Sequence, residues 1–261
     1  MKQKNLKQFL DEQVLKINTP GFIAADPISI PKLFTQKQDI EIMGFFASIL
    51  AWGQRVTILN NCKKLIELFE NQPYEFIINT APKDWQRFDG FVHRTFNSSD
   101  LLYFIDFFHH YYNTHESLEQ LFLQGLKHPE SYSGDENMEH SLNHFKMKFF
   151  ERNVHLRRTE KHISSPAQNS ACKRLNMYLR WMVRQDDAGV DFGIWNNINP
   201  SQLLCPLDVH VGRTARQLGI LTRPQDDWKA VIELTSNLKK LDKFDPVKYD
   251  FALYGMGISK Q

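Results

Sequence analysis

The sequence predicts an all-α protein, and three observations carry that prediction. Apolar residues recur three and four positions apart in almost every patterned stretch, as they do along one face of a helix. No set of segments alternates apolar and polar residues in the manner of half-buried strands, and no internal repeat is visible. The composition, 42% apolar and 24% charged, is that of an ordinary folded protein and excludes wholesale disorder.

The elements follow in order. Residues 1–16 (MKQKNLKQFLDEQVLK) form an amphipathic helix without the apolar centre of a signal peptide. Residues 37–51 place Ile42, Phe45, Phe46, Ile49 and Leu50 on one stripe. A second long helix is expected over 58–69, ended by Asn71 and Pro73. Shorter helices are expected at 74–80, at 98–112 with Ser98 or Ser99 as cap and Asp100 in the first turn, and at 117–126. Residues 128–140 read as a loop, and helical spacing resumes over 141–153. Next come a helix containing Lys173, a polar insertion over 185–202, a helix opened by Asp208, and closing helices at 228–241 and 246–256. The pattern suggests an N-terminal helix in 1–35 that packs with a C-terminal lobe (161–261), a helical lobe over 36–160, and a cleft between the lobes.

At 261 residues the chain can bury a large core, and most of its 20 Phe and 5 Trp read as part of it. The net charge is only +2, but it is unevenly placed: residues 141–184 hold ten Lys and Arg against two Glu, and the remainder is net acidic. Such a basic stretch suits an anionic partner or a solvated helix face. On the first reading Lys146, Lys148, Arg157, Arg158, Arg174 and Arg180 share one surface that tracks phosphates. The three cysteines, Cys62, Cys172 and Cys205, lie far apart, as reduced thiols of a cytoplasmic protein do, and supply no four-cysteine iron–sulfur set. No apolar run approaches membrane-spanning length. Asp208 with His210, and Glu139 with His140 and His144, are too sparse for a metal site, and no cofactor is expected.

Lys173 and Asp208 are the residues with chemistry to offer. A lysine in the first turn of a helix faces the positive end of the macrodipole, which favours the neutral amine that a nucleophile needs. Taken alone, it reads as a surface lysine. Asp208 stands before an amphipathic helix and reads by itself as an N-cap. Brought together in a cleft, an amine and a carboxylate can attack a sugar C1′ and support a cationic transition state.

Both neighbourhoods resemble one family. KRLNMYLRWMV, opening at Lys173, is similar to the second helix of the helix-hairpin-helix motif in the endonuclease III-like DNA glycosylase superfamily. CPLDVHVGRTARQLGI resembles its aspartate segment, with Asp208, His210 and Arg213 in the matching places. FFASILAWGQR resembles the helix end that places a glutamine in the DNA stack, here Gln54, and FALYGMGIS resembles the helix that follows the aspartate. The hairpin itself, SSPAQNSAC, has no glycine, and 35 residues separate Lys173 from Asp208, more than in most members. Archaeal 8-oxoguanine glycosylases share the long interval and are the nearest likeness. The chain also resembles a bacterial family of unassigned function with the string HRTFN, here His93 to Asn97.

The resemblance implies a base-excision enzyme with abasic-site lyase activity, acting on double-stranded DNA that carries a damaged base. Lys173 would be the Schiff-base nucleophile and Asp208 its electrostatic partner. Gln54, Arg55, Arg174, Arg180, His210 and Arg213 would contact DNA, with Gln54 or Arg55 filling the gap left by an extruded base. Trp52, Trp181 and Trp195 would be the candidates for stacking on that base. The alternative is a DNA-binding protein that keeps this fold without the chemistry.

Overall fold

In the computed structural model of the chain, residues 3–126, 136–152 and 154–258 are described. The fold is all-α. The helices are α1 (Gln3–Ile17), α2 (Pro20–Ile23), α3 (Lys37–Ile49), α4 (Arg55–Leu68), α5 (Pro73–Asn79), α6 (Ser98–Tyr112), α7 (Glu119–Leu126), α8 (Glu136–Phe149), α9 (Lys173–Val183), α10 (Val209–Gln217), α11 (Trp228–Lys239) and α12 (Tyr249–Ile258). Short 3-10 segments begin at Pro27, Pro31, Pro82, Pro166, Pro200 and Pro246, where proline's fixed φ suits a first helical position. No helix among the described residues is long and apolar enough to cross a membrane.

The centre of the molecule is α3, buried from Asp39 to Ile49, and it packs against α9, α4 and α5. Gly44 lets α9 approach: a Cβ there would lie 2.7 Å from the Met182 side chain. Phe45 meets Tyr178 of α9 and Phe108 of α6 edge-on, at centroid separations of 5.4 and 5.6 Å. Buried apolar side chains form one connected cluster from Leu10 in α1 to Leu253 in α12. Each large side chain in it contributes about 1.5–3 kcal/mol by leaving water.

A carboxylate sits inside this apolar mass. Glu41 is fully buried, with no cation beside it among the described residues. It accepts hydrogen bonds from the Tyr112 hydroxyl at 2.7 Å, from Trp195 Nε1 at 2.6 Å, from the Leu118 backbone N–H at 3.0 Å and from the Ser117 hydroxyl. These donors come from α6, from the turn before α7 and from the insertion after α9, so one side chain ties three parts of the chain to α3. Burial pushes its pKa above the usual carboxylate range despite those donors.

Local details differ from the sequence reading in three places. Asn97 caps α6, not Ser98 or Ser99: its side chain accepts from Asp100 N–H at 3.3 Å, and Asp100 Oδ2 accepts from Asn97 N–H at 3.0 Å, a reciprocal capping box. Helix α8 starts at Glu136, inside the loop expected over 128–140; residues 128–135 of that loop lie outside the described residues. HRTFN forms a small hairpin, β1 (Val92–His93) and β2 (Phe96–Asn97), with Arg94 in the left-handed region at φ 57°. Strands of two residues carry no periodic signal. His93 docks the hairpin, pairing with Asn61 Nδ2 at 2.8 Å and with the Trp52 carbonyl at 3.3 Å.

Glu41 supplies the first test. Glu41→Ala leaves four buried donors without an acceptor, at about 1–3 kcal/mol each where they find no new partner. Urea denaturation is expected to register a loss of more than about 3 kcal/mol for Glu41→Ala, whereas Glu41→Gln, which keeps an acceptor, loses roughly 1 kcal/mol.

Candidate active site

Lys173 is the first residue of α9, and the turn before it reverses the chain without glycine. Asn169 and Cys172 take the left-handed conformation, at φ 54° and 49°. Asn tolerates this region because its short side chain bonds locally; Cys172 bears strain of roughly 1–2 kcal/mol. The turn is anchored from α11: the Asn169 carbonyl accepts from Trp228 N–H at 3.3 Å, and its side chain donates to Asp227 at 3.3 Å. Burial pushes the Cys172 thiol up to about 11, so the sulfur beside Lys173 is held as an unreactive thiol.

Asp208 precedes α10 and serves two purposes at once. Oδ1 accepts from the backbone N–H groups of His210 and Val211, at 2.9 and 3.1 Å, and thereby caps the helix. Oδ2 faces Lys173 Nζ at 3.7 Å. Capping and pairing use different oxygens, so they do not compete. The lysine amine also lies 3.4 Å from Met177 Sδ, one turn along α9. Both side chains keep about a quarter of their surface open, at 26% and 23%.

They open into a cavity of about 380 Å³. Trp52, Phe22 and Tyr254 give it aromatic walls, and Arg55, His210, Asp26, Arg180 and Asp250 stand on its lining. Arg55 donates to the Tyr254 hydroxyl. One Asp26 oxygen accepts from Ile28 N–H at 3.1 Å, and burial holds this carboxyl above the usual range.

Arg180 belongs to a buried ion network. It pairs with Asp191 at 3.3 Å and with Asp250. One turn further along α9, Arg184 pairs with Asp186 at 2.6 Å, Asp245 at 2.8 Å and Asp191 at 3.1 Å. Four carboxylates thus share two guanidiniums, which explains shifts in opposite senses. Burial alone would lower Arg180, but Asp191 and Asp250 outweigh it and hold the guanidinium above its ordinary value. Asp250 is pushed by burial up to about 6, because Arg180 answers only part of the desolvation and Asp208 adds a like charge.

The other expected site residues divide. Trp52, Arg55 and His210 line the cavity. Gln54 is exposed at the N-cap of α4, and Arg213 is exposed with its guanidinium on the Gly257 carbonyl at 2.8 Å. Arg174 is half-buried and donates to the Ile49 carbonyl at 2.8 Å. Trp181 and Trp195 are 0% and 1% exposed and lie in the core, so neither stacks on a ligand: the apolar stripe of α9 and the Glu41 carboxylate claim them. Arg180 is 4% exposed and cannot sit on a DNA-facing surface; its carboxylate partners hold it inside. The basic stretch is accordingly not one surface. Arg180 and Arg184 are internal, Lys148 pairs with Glu151 and Arg158 with Asp100, while Arg157 and Lys161 are exposed.

Asp26, Asp250 and Tyr254 went unnoticed in the sequence. Asp250 had left a signal, as a lone acid inside an apolar helix. Among the described residues no group of three or more His, Cys, Asp or Glu side chains gathers in a metal-holding arrangement.

Residues 26–259 match the family described as Protein of unknown function (DUF2400). The chain belongs to that family. No curated protein and no solved structure matches it. The DUF2400 span contains every cavity residue named above except Phe22.

Two measurements test the ion network of this DUF2400 member. Arg180→Met leaves Asp191 and Asp250 without their shared cation and is expected to cost about 3–5 kcal/mol in chemical denaturation. The Asp250 carboxyl is raised from 3.8 to about 6 on folding, so its protonated form contributes stability fully below pH 4, lost as pH rises through 6. Asp250→Asn is therefore expected to reduce the fall of stability between pH 4 and 6 by up to about 1.4 kcal/mol per pH unit; an unchanged profile means that this carboxyl does not titrate there.

Proposed function

We propose that the chain is a DNA base-excision glycosylase with abasic-site lyase activity. The observation that carries the reading is the Lys173 amine 3.7 Å from the Asp208 carboxylate at the wall of one cavity, although 35 residues separate them in sequence. Two groups that act on one reacting atom have to converge in this way.

The cavity has the size of a small-molecule site and the composition of a base pocket, with flat aromatic walls and a few polar groups at its end. With a nucleotide turned out of the duplex and its base in the cavity, C1′ comes to the mouth where Lys173 stands. The amine lone pair forms the C1′–N bond as the glycosidic bond breaks. The bonding pair leaves with the base, which takes up a proton. Loss of an amine proton and opening of the sugar ring give the Schiff base, and removal of a C2′ proton then expels the 3′ phosphate by β-elimination. Asp208 acts by charge: its Oδ2 faces the centre where the cationic sugar develops, and the two backbone donors on Oδ1 hold it in place. Trp52 is the stacking surface this reading assigns, with Arg55 or Gln54 as the side chain that fills the vacated stack.

The test is borohydride trapping on duplexes that carry an abasic site or a damaged base. Wild type is expected to form a covalent adduct, and Lys173→Gln none, with duplex affinity within about threefold because one charge among several is lost. Asp208→Asn keeps an N-cap of similar strength and is expected to slow base release by about 10²–10³-fold with little change in melting temperature. Unchanged turnover in Asp208→Asn would reduce that residue to a cap. Failure of wild type to trap any substrate it binds would favour the non-catalytic DNA binder.

A further inference from the structure

A second concavity, of about 350 Å³, shares Trp52 with the first and is otherwise lined by Thr95, Lys161, His162 and Arg174. Lys173 and Arg174 are consecutive at the start of α9, and neighbours on a helix point about 100° apart. One helix end therefore sends an amine into the first cavity and a guanidinium into the second.

The charge of this second pocket is uncompensated. Arg174 meets only the Ile49 carbonyl, and among the described residues no carboxylate lies within ion-pair distance of it. Burial pulls its guanidinium below the ordinary value, opposed only by the neighbouring Cys172 thiol. Lys161 is exposed and makes no ion pair among the described residues, and Arg94 lies over the Trp52 ring at 4.6 Å. Two carboxylates of this region are committed to groups other than Arg174 and Lys161, one of them to the lining His162. Asp100 is fully buried and holds His162 and Arg158, each at 3.2 Å, and the Thr159 hydroxyl at 2.7 Å. Glu160 pairs with His155 at 3.1 Å. A guanidinium, an ammonium and a threonine on one lining are the donor set that takes up a phosphate oxyanion.

We infer that this pocket binds a backbone phosphate of the nucleotide whose base occupies the first cavity, with Arg174, Lys161 and Thr95 as its ligands. The inference rests on the glycosylase reading for the identity of the strand. It gives the HRTFN hairpin a task, since His93 and Arg158 hold Thr95 and Trp52 at the pocket wall. It also sets the register: a phosphate on Arg174 places the attached sugar beside the amine of the preceding residue.

Two titrations test it on the full chain. The first measures binding to a duplex with an abasic site over a salt series, for wild type, Lys161→Ala, Arg174→Gln and the double variant. Gln keeps an N–H donor for the Ile49 carbonyl, so the end of α3 stays capped while the charge is lost. Each single variant is expected to weaken binding by roughly an order of magnitude and to lower the log–log salt slope by about 1, the double variant by about 2. A double variant with the wild-type slope overturns the phosphate pocket and leaves the glycosylase reading in place. The second titration follows the Trp52 indole N–H resonance, assigned with Trp52→Phe, as inorganic phosphate is added. A saturable shift in wild type that the double variant lacks supports the pocket, and no shift overturns it. A wild type without salt-dependent duplex binding overturns the DNA reading itself, and the phosphate titration then decides the pocket on its own.

Discussion

Two arginines, Arg180 in α9 and Arg184 at its C-cap, draw distant parts of this molecule together. Arg180 and Arg184 gather carboxylates from the insertion after α9 (Asp186 and Asp191), from the turn before the last helix (Asp245) and from α12 (Asp250). Asn18, just past α1, joins through Asp186. Buried ion pairs are weak sources of net stability, since desolvation consumes most of the attraction. They are strict about geometry, because any partner left over is a bare charge in a poor solvent. The network thus ties α9 to α12 through Arg180 and Asp250 and to the residue after α1 through Asp186. Lys173 is one end of the same rigid helix, and its direction is set from there.

The surplus of carboxylates in this network reaches the cavity. Asp250 belongs to both, and Asp26 lies near enough to Arg180 and Lys173 to feel their charge. The first cavity therefore combines an amine with carboxyl groups on one lining, and burial leaves those carboxyls reluctant to ionise. A protonated carboxyl donates a hydrogen bond and an ionised one accepts two, so the polar face offered to a ligand changes across the range in which Asp250 titrates. The second pocket has the opposite character, cationic and open, and Trp52 divides the two.

The helical order was legible in the sequence because amphipathic helices repeat within a few residues. The strongest cases are α3, α6 and α9, each with a stripe of large apolar side chains. The hairpin at His93–Asn97 escaped because two-residue strands leave no period, and the α6 cap moved to Asn97 because only its partner Asp100 decides between adjacent candidates. The apolar environment of Trp181 and Trp195 was equally out of reach. A tryptophan on a helix stripe looks the same whether the neighbouring element is another helix or a ligand.

The sequence by itself determined the order of the helices and the cap geometry of Asp208, since both depend on neighbours within a turn or two, whereas the pairing of Lys173 with Asp208 was expected only from a family resemblance. Tertiary structure alone decided which basic residues face outward. Arg180 and Arg158 are alike in composition and charge; the first is internal because Asp191 and Asp250 converge on it from 11 and 70 residues away, while the second stays half open. It also decided the polar lining of the cavity, where Asp26, Arg180 and Asp250 come from three distant segments. Local patterns record the path of the chain, but a pocket is made where non-adjacent segments cross, and its electrostatics depend on which charges the fold leaves unpaired there.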